Sequence, residues 1–303
     1  MAKDVLFEIG AEEIPAGYMP SLLEQFKTMA EAKLAEHRLS FGSIRTLGTP
    51  RRLALLINGV ADASEDLSER HKGPSVQIAY DKDGNPTKAA MGFARGKGVD
   101  VNDLVVEDGY IYAETTTAGV PAMKIFEEVL PQLLTGLSFP KSMHWADRDE
   151  KFVRPVRWLL ALLDTAVVPM EFAGVRASNF SRGHRFLGER GVLVQHPADY
   201  IKAMEDNFVI VDQDKRRAMI SEQLEALAKE HNATIVHDDD LLEEINFLVE
   251  YPTALCGGFA DSYLELPDAA VITPMKDHQR YFPLVDSEGK LLPLFLTVRN
   301  GDS

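Results

Sequence analysis

Within the first 57 residues the hydrophobic pattern changes period repeatedly, and that succession restricts the fold more than any other feature. Val5 to Ile9 is a short apolar run ending at Gly10, as a buried strand would read. Glu12, Glu13, Pro15 and Gly17 mark a turn. Met19, Leu22, Leu23, Phe26, Met29, Ala30 and Leu34 then recur on one helical face, with Pro20 tolerated in the first turn. Ile44 to Leu47 and Leu53 to Ile57 read as two strands around Thr49-Pro50-Arg51-Arg52. Strand, helix, strand, strand predicts an α+β fold with mixed or antiparallel sheets and packed helices.

The remaining chain extends this reading. Asp62 to Gly73 is polar and is expected as a loop or short surface helix, and Val76 to Tyr80 as a strand running into the turn Asp83-Gly84-Asn85-Pro86. Thr87 to Lys97 should be a short helix. Leu104 to Glu107, Asp108-Gly109 and Tyr110 to Thr115 form the clearest hairpin, because Asp-Gly suits a type I′ turn. From Pro121 a helix should face Ile125, Phe126, Val129, Leu130 and Leu133 inward. Helices are expected at Pro197 to Glu205, Asp214 to Lys229 and Asp239 to Val249, and strands at Thr253 to Cys256, Tyr281 to Val285 and Leu291 to Val298. A length of 303 residues allows two domains, placed at 1–138 and 139–303, the second with an acidic helical insertion over about 197–250.

Charge is distributed unevenly. The formal net charge is −15, which argues against a general nucleic-acid coat, DNA, or an anionic membrane as partner. Asp199 to Glu265 holds sixteen acidic and five basic residues. Pro140 to Arg190 reverses the sign, with nine cations against six anions, seven of the cations arginine, and both tryptophans, Trp145 and Trp158. Arginine beside aromatics in an acidic chain is where an anion would bind, since the planar guanidinium fork suits phosphate and carboxylate. The competing structural reading pairs these arginines with acidic neighbours on a solvated face.

Other compositional features exclude whole classes. Cys256 is the sole cysteine, so neither an internal disulfide nor a multi-cysteine zinc site can form. Met1-Ala2-Lys3-Asp4 does not open a signal peptide, and Trp158 to Leu163 is too short to span a bilayer, so a cytoplasmic, soluble protein is expected. There is no Gly-x-Gly-x-x-Gly loop and no Gly-x-Ser-x-Gly elbow. Gly92 to Gly98 imitates a phosphate loop, but its spacing is one residue short and Gly98 replaces the hydroxyl that would hold magnesium; a glycine-rich helix end explains it better. His237-Asp238-Asp239-Asp240 could hold a metal or, more simply, cap a helix. Glu8, Glu12 and Glu13 could do acid–base work or stand as solvated acids at a strand end. Lys276, His278 and Arg280, followed by Tyr281-Phe282, could meet phosphate and a base, or else favour a helix C-terminus. Arg51 and Arg52 should point to opposite faces, so only one can join a shared surface.

Seven islands, in order, resemble the β subunit of the bacterial heterotetrameric glycyl-tRNA synthetase. They are Leu6-Phe7-Glu8-Ile9-Gly10-Ala11-Glu12-Glu13-Ile14-Pro15, Thr49-Pro50-Arg51-Arg52-Leu53-Ala54, Lys72-Gly73-Pro74, Pro140-Lys141-Ser142-Met143-His144-Trp145, Phe152-Val153-Arg154-Pro155-Val156, Arg182-Gly183-His184-Arg185-Phe186 and Met275 to Pro283. Ala11 stands where that family usually has Thr. The resemblance implies the N-terminal part of a longer subunit, which fits a chain ending on a strand and Asn300-Gly301-Asp302-Ser303. It also implies that the α subunit activates glycine with ATP and magnesium, while β binds tRNA(Gly) and holds no cofactor in these residues. On that reading this part is not catalytic. Arg51, Arg52, Arg154, Arg157, Arg182, His184, Arg185, Lys276, His278 and Arg280 become the candidates for contact with tRNA or the α subunit. The alternatives are a metal-dependent hydrolase built on His237 to Asp240, which elemental analysis would detect, or an editing-type hydrolase.

Overall fold

The computed structural model describes residues 2–302 and has the α+β architecture expected. Strand β1 (Lys3–Ala11) leads into helix α1 (Met19–Glu36), then β2 (Ser43–Thr49) and β3 (Arg52–Val60). Next come β4 (Leu67–Ser75), a single turn α2 (Val76–Ala79), α3 (Lys88–Lys97), the hairpin of β5 (Val105–Glu107) and β6 (Tyr110–Thr117), and α4 (Ala122–Gly136). β4, β5 and β6 form a separate antiparallel sheet.

Two expectations fail in this region. The polar stretch before Gly73 is a strand, and Val76–Ala79 is helical. β4 is paired with β6 from Leu67 to Lys72 and again at Ser75, and that pairing, which no local pattern announces, stabilises a strand with hardly any apolar face. The hairpin is as read: Glu107 pairs with Tyr110, and Asp108 and Gly109 both adopt positive φ. Gly98 closes α3 in the left-handed conformation, so the glycine-rich loop is a helix terminus.

β7 (Val156–Leu163) pairs antiparallel with β1, and after β8 (Ala166–Val167) and β9 (Glu171–Phe172), β10 (Val175–Ser178) runs parallel to β7. The result is a mixed seven-stranded sheet, ordered β2-β3-β1-β7-β10-β9 with β8 also on β7, which takes strands from both sides of residue 138. Strand alternation divides β1 between two cores. Val5, Phe7 and Ile9 face α1 and α4, alongside Leu53, Leu55, Leu159 and Ala161. Leu6 and Glu8 face the other way, beneath β11 (Phe180–Ser181), β12 (Val192–Leu193) and α5 (Tyr200–Glu205), which contributes Tyr200 and Met204. Burial on both faces explains why β1 reads as a continuous apolar run.

Helix α6 (Gln213–Glu230), β13 (Thr234–Ile235), α7 (Asp239–Asn246), β14 (Pro252–Gly258), α8 (Asp268–Thr273), β15 (Phe282–Val285) and β16 (Leu291–Asn300) complete the chain. β13, β15, β16 and β14 form a four-stranded antiparallel sheet under α6 and α7. The acidic stretch 197–250 is thus divided: α5 belongs to the core of the large sheet, and α6 and α7 to that of the small one.

Candidate anion-binding cleft

The register of β3, β1 and β7 sets Arg52, Gly10 and Trp158 side by side, on the face that Glu8 shares. Gly10 is required there, because a Cβ would lie 1.9 Å from the Trp158 ring. Glu8 is fully buried and accepts hydrogen bonds from Trp158 Nε1, from the Tyr200 hydroxyl and from Ser181 Oγ at 2.6 Å, with Arg52 Nη1 at 3.6 Å. Arg52 donates from Nε and Nη2 to Glu250 Oε1 at 3.2 and 3.0 Å, and Thr49 Oγ1 donates to the same oxygen at 2.7 Å. Arg51 Nη1 lies 3.8 Å from Glu250 Oε2.

Two buried cations therefore meet two buried carboxylates, and hydrogen bonds satisfy the carboxylates. Burial alone would lower the Arg52 pKa, but Glu250 and Glu8 outweigh it and raise it further. Burial pushes the Glu250 carboxyl up, yet Arg52, the Thr49 bond and Arg51 bring it below its ordinary value. Burial, reinforced by Glu8, holds Tyr200 protonated as a donor. Glu8 is neither a solvated acid nor an acid–base group that a substrate could reach.

Above this layer lies a cleft of about 550 Å³, lined by Glu12, Arg51, Arg157, Arg182, Gly183, His184, Arg185, Glu189 and Arg190. Trp158 is its pillar. Its indole nitrogen bonds Glu8, while the guanidinium carbons of Arg182, Arg52 and Arg51 lie 5.0, 5.3 and 5.6 Å from its ring. Glu12 meets Arg157 at 3.2 Å and Arg185 at 2.8 Å, and Glu13 meets Arg185 at 2.8 Å. Arg182 donates to the Arg157 carbonyl at 3.1 Å, and burial beside Arg157 and Arg190 lowers its pKa. Arg51 is only 8% exposed, and its Nε has no hydrogen-bond partner among the described residues.

His184 lines this cleft but is tied into the fold. Its Nδ1 accepts from the Phe186 and Leu187 amides, and Nε2 faces Asn300 Oδ1 at 3.1 Å. That oxygen also accepts from the Glu250 and Tyr251 amides, which assigns Nε2 as the donor to it. The loop it anchors carries Phe186 out to solvent at 84% exposure.

Of the ten residues proposed from sequence, Arg51, Arg157, Arg182, His184 and Arg185 converge here. Arg52 is buried below, where no solvent-borne partner reaches it. Arg154 donates to the Val153 carbonyl outside the cleft. Lys276 pairs with Asp238 and Arg280 with Glu244, on a separate surface by α7 where His278 is exposed. Asp238 caps α7 through the Leu241 amide, and no group of three possible metal ligands is found among the described residues. Among them, too, no helix is long and apolar enough to cross a membrane. Arg190, Phe186 and Glu12 were not among those ten, although Arg190 belongs to the basic stretch and Phe186 adjoins Arg185 in the sequence.

Comparison with known proteins bears on the same residues. Residues 5–303 match the family described as glycyl-tRNA synthetase beta subunit. Relatives named glycine–tRNA ligase beta subunit are 48% identical in Desulfitobacterium hafniense strain Y51 and in Moorella thermoacetica, and 45% identical in Listeria monocytogenes. These alignments cover 99–100% of this chain and 44% of each relative, so the chain spans less than half of their length.

Proposed function

Because the chain belongs to the glycyl-tRNA synthetase β-subunit family, we propose that it serves glycyl-tRNA synthesis by binding tRNA(Gly) through the arginine cleft. The observation that carries this reading is the cleft lining: five arginines against two glutamates in a protein of net charge −15. Fixed positive charge concentrated in one concavity of an acidic molecule draws an anion to that place. Arginine forks suit phosphate oxygens, and phosphate is the group that tRNA presents most densely. The family name also implies an α partner. We assign the cleft to RNA rather than to that partner because its arginines outnumber its glutamates five to two, and an RNA backbone supplies the anions that such an excess leaves unmatched. In the same proposal, activation of glycine with ATP and magnesium belongs to the α subunit.

The test is a titration of tRNA(Gly) with this chain at about 50 and about 200 mM salt. Each phosphate contact contributes roughly 0.7–0.9 to the log–log slope, so affinity should drop steeply between the two conditions. Arg157→Ala should weaken binding and shallow the slope by about one contact. An unchanged slope in that variant, or no binding at either salt, would remove tRNA from the cleft.

A further inference from the structure

The cleft already holds an anion of its own. Glu12 places one carboxylate oxygen against Arg157 and the other against Arg185, as a bound phosphate would. The Glu12 side chain is 35% exposed and that of Arg185 42%, so solvent screens the pair and a competing anion can reach it. Arg182 and Arg190 line the same recess, and no carboxylate pairs with them among the described residues. Deeper in, the buried Arg51 Nε has no hydrogen-bond acceptor among the described residues.

We infer that the cleft takes a terminal phosphate monoester, the 5′ end of an RNA chain, and that Glu12 is the internal anion this phosphate displaces. This rests on the tRNA reading above and adds which part of the RNA the cleft holds. Charge decides between the two kinds of RNA phosphate. An internal phosphodiester carries one negative charge, the same as the Glu12 carboxylate, so exchanging one for the other gains little. A terminal monoester carries about −1.5 to −2 near neutral pH and has three strong acceptor oxygens. It can satisfy Arg157 and Arg185 and still engage Arg182 or Arg51. Phe186 stands exposed on the adjoining loop, as a platform for the terminal base.

The experiment compares tRNA(Gly) bearing a 5′-monophosphate with the same RNA bearing a 5′-hydroxyl, titrated with this chain at one salt concentration. Loss of the terminal phosphate should weaken binding about tenfold, the worth of one charge-assisted contact. Glu12→Gln should tighten binding of the phosphorylated RNA about fivefold, because the anion bridging Arg157 and Arg185 is gone and only Glu13 still pairs with Arg185. Arg185→Ala should abolish the difference between the two RNAs. Equal affinities for both RNAs, or weaker binding by Glu12→Gln, would overturn the inference. If the RNAs bind equally and Arg157→Ala still lowers the salt slope, tRNA contact stands and only the terminal assignment falls. If neither RNA binds at low salt, both readings fall together. Inorganic phosphate should displace the phosphorylated RNA only at far higher concentration. Displacement by phosphate at the RNA's own affinity would assign the site to a free small phosphate and overturn the RNA assignment.

Discussion

Glu250 is the residue on which the floor of the cleft depends. It is 1% exposed, bonds Arg52 and Thr49, and lies 3.8 Å from Arg51. Its folded pKa lies below the ordinary 4.5, so its contribution to stability is complete above that value. That contribution is lost as pH falls through the folded pKa. Glu250→Gln should therefore cost roughly 3–5 kcal/mol near neutral pH, because it leaves Arg52 buried against a neutral amide. The variant should also lose less stability than the native chain when acidified below 4.5. Some acid sensitivity will remain, since Asp212 and Asp238 are also held low. Urea midpoints measured from about pH 3 to pH 7 in both proteins check this. Parallel curves would show that the Glu250 charge contributes nothing to the fold.

Among the elements, α6 shows how one side chain can fix both a helix and its place. Asp212 accepts from the Asp214 and Lys215 amides at the N-terminus of α6 and also pairs with Arg45 of β2 at 2.6 Å. Asp212→Ala should cost about 1–2 kcal/mol, most of it from the lost cap, and Arg45→Ala much less; a thermal melt of each separates the two contributions. Local pattern made α6 legible in the sequence, as it did β1, α1, α4 and the β5–β6 hairpin, because each carries its own period or turn chemistry. β4 and α2 were not legible: the first is a polar strand formed by pairing, and the second is one turn set by the chain around it. The cleft was legible only as pieces. Arg51, Arg157 and the loop 182–190 are far apart in sequence and meet because β3, β1 and β7 are neighbours in one sheet. Lys276 and Arg280 looked equivalent to them, but they pack against acidic α7 instead.

At the scale of the whole molecule, the question is what holds the large sheet against the small one, since the cleft draws its floor from both. Glu250 precedes β14, and Asn300 at the end of β16 bonds His184 on the cleft loop. A further tie is Arg216 of α6, fully buried and with no carboxylate ion pair among the described residues. Its guanidinium donates to the carbonyls of Gly48 in β2, Asn246 in α7 and Ile210, and lies 5.7 Å from the Phe247 ring. Burial pulls its pKa down to about 10, so it is still charged at neutral pH, and the carbonyl oxygens stand in for solvent. Arg216→Ala would leave three buried carbonyls unpaired at one stroke, a loss of roughly 3–5 kcal/mol. The damage should appear first at the junction. Native-state hydrogen exchange should show β13–β16 and α7 losing protection before β1, β3 and β7, because the large sheet keeps its own two cores. On the proposed tRNA reading, binding should fall in step, since a loosened Glu250 no longer holds Arg51 and Arg52 beneath the cleft. Uniform loss of protection would instead mean that the two sheets unfold as one unit, and that no single residue governs their junction.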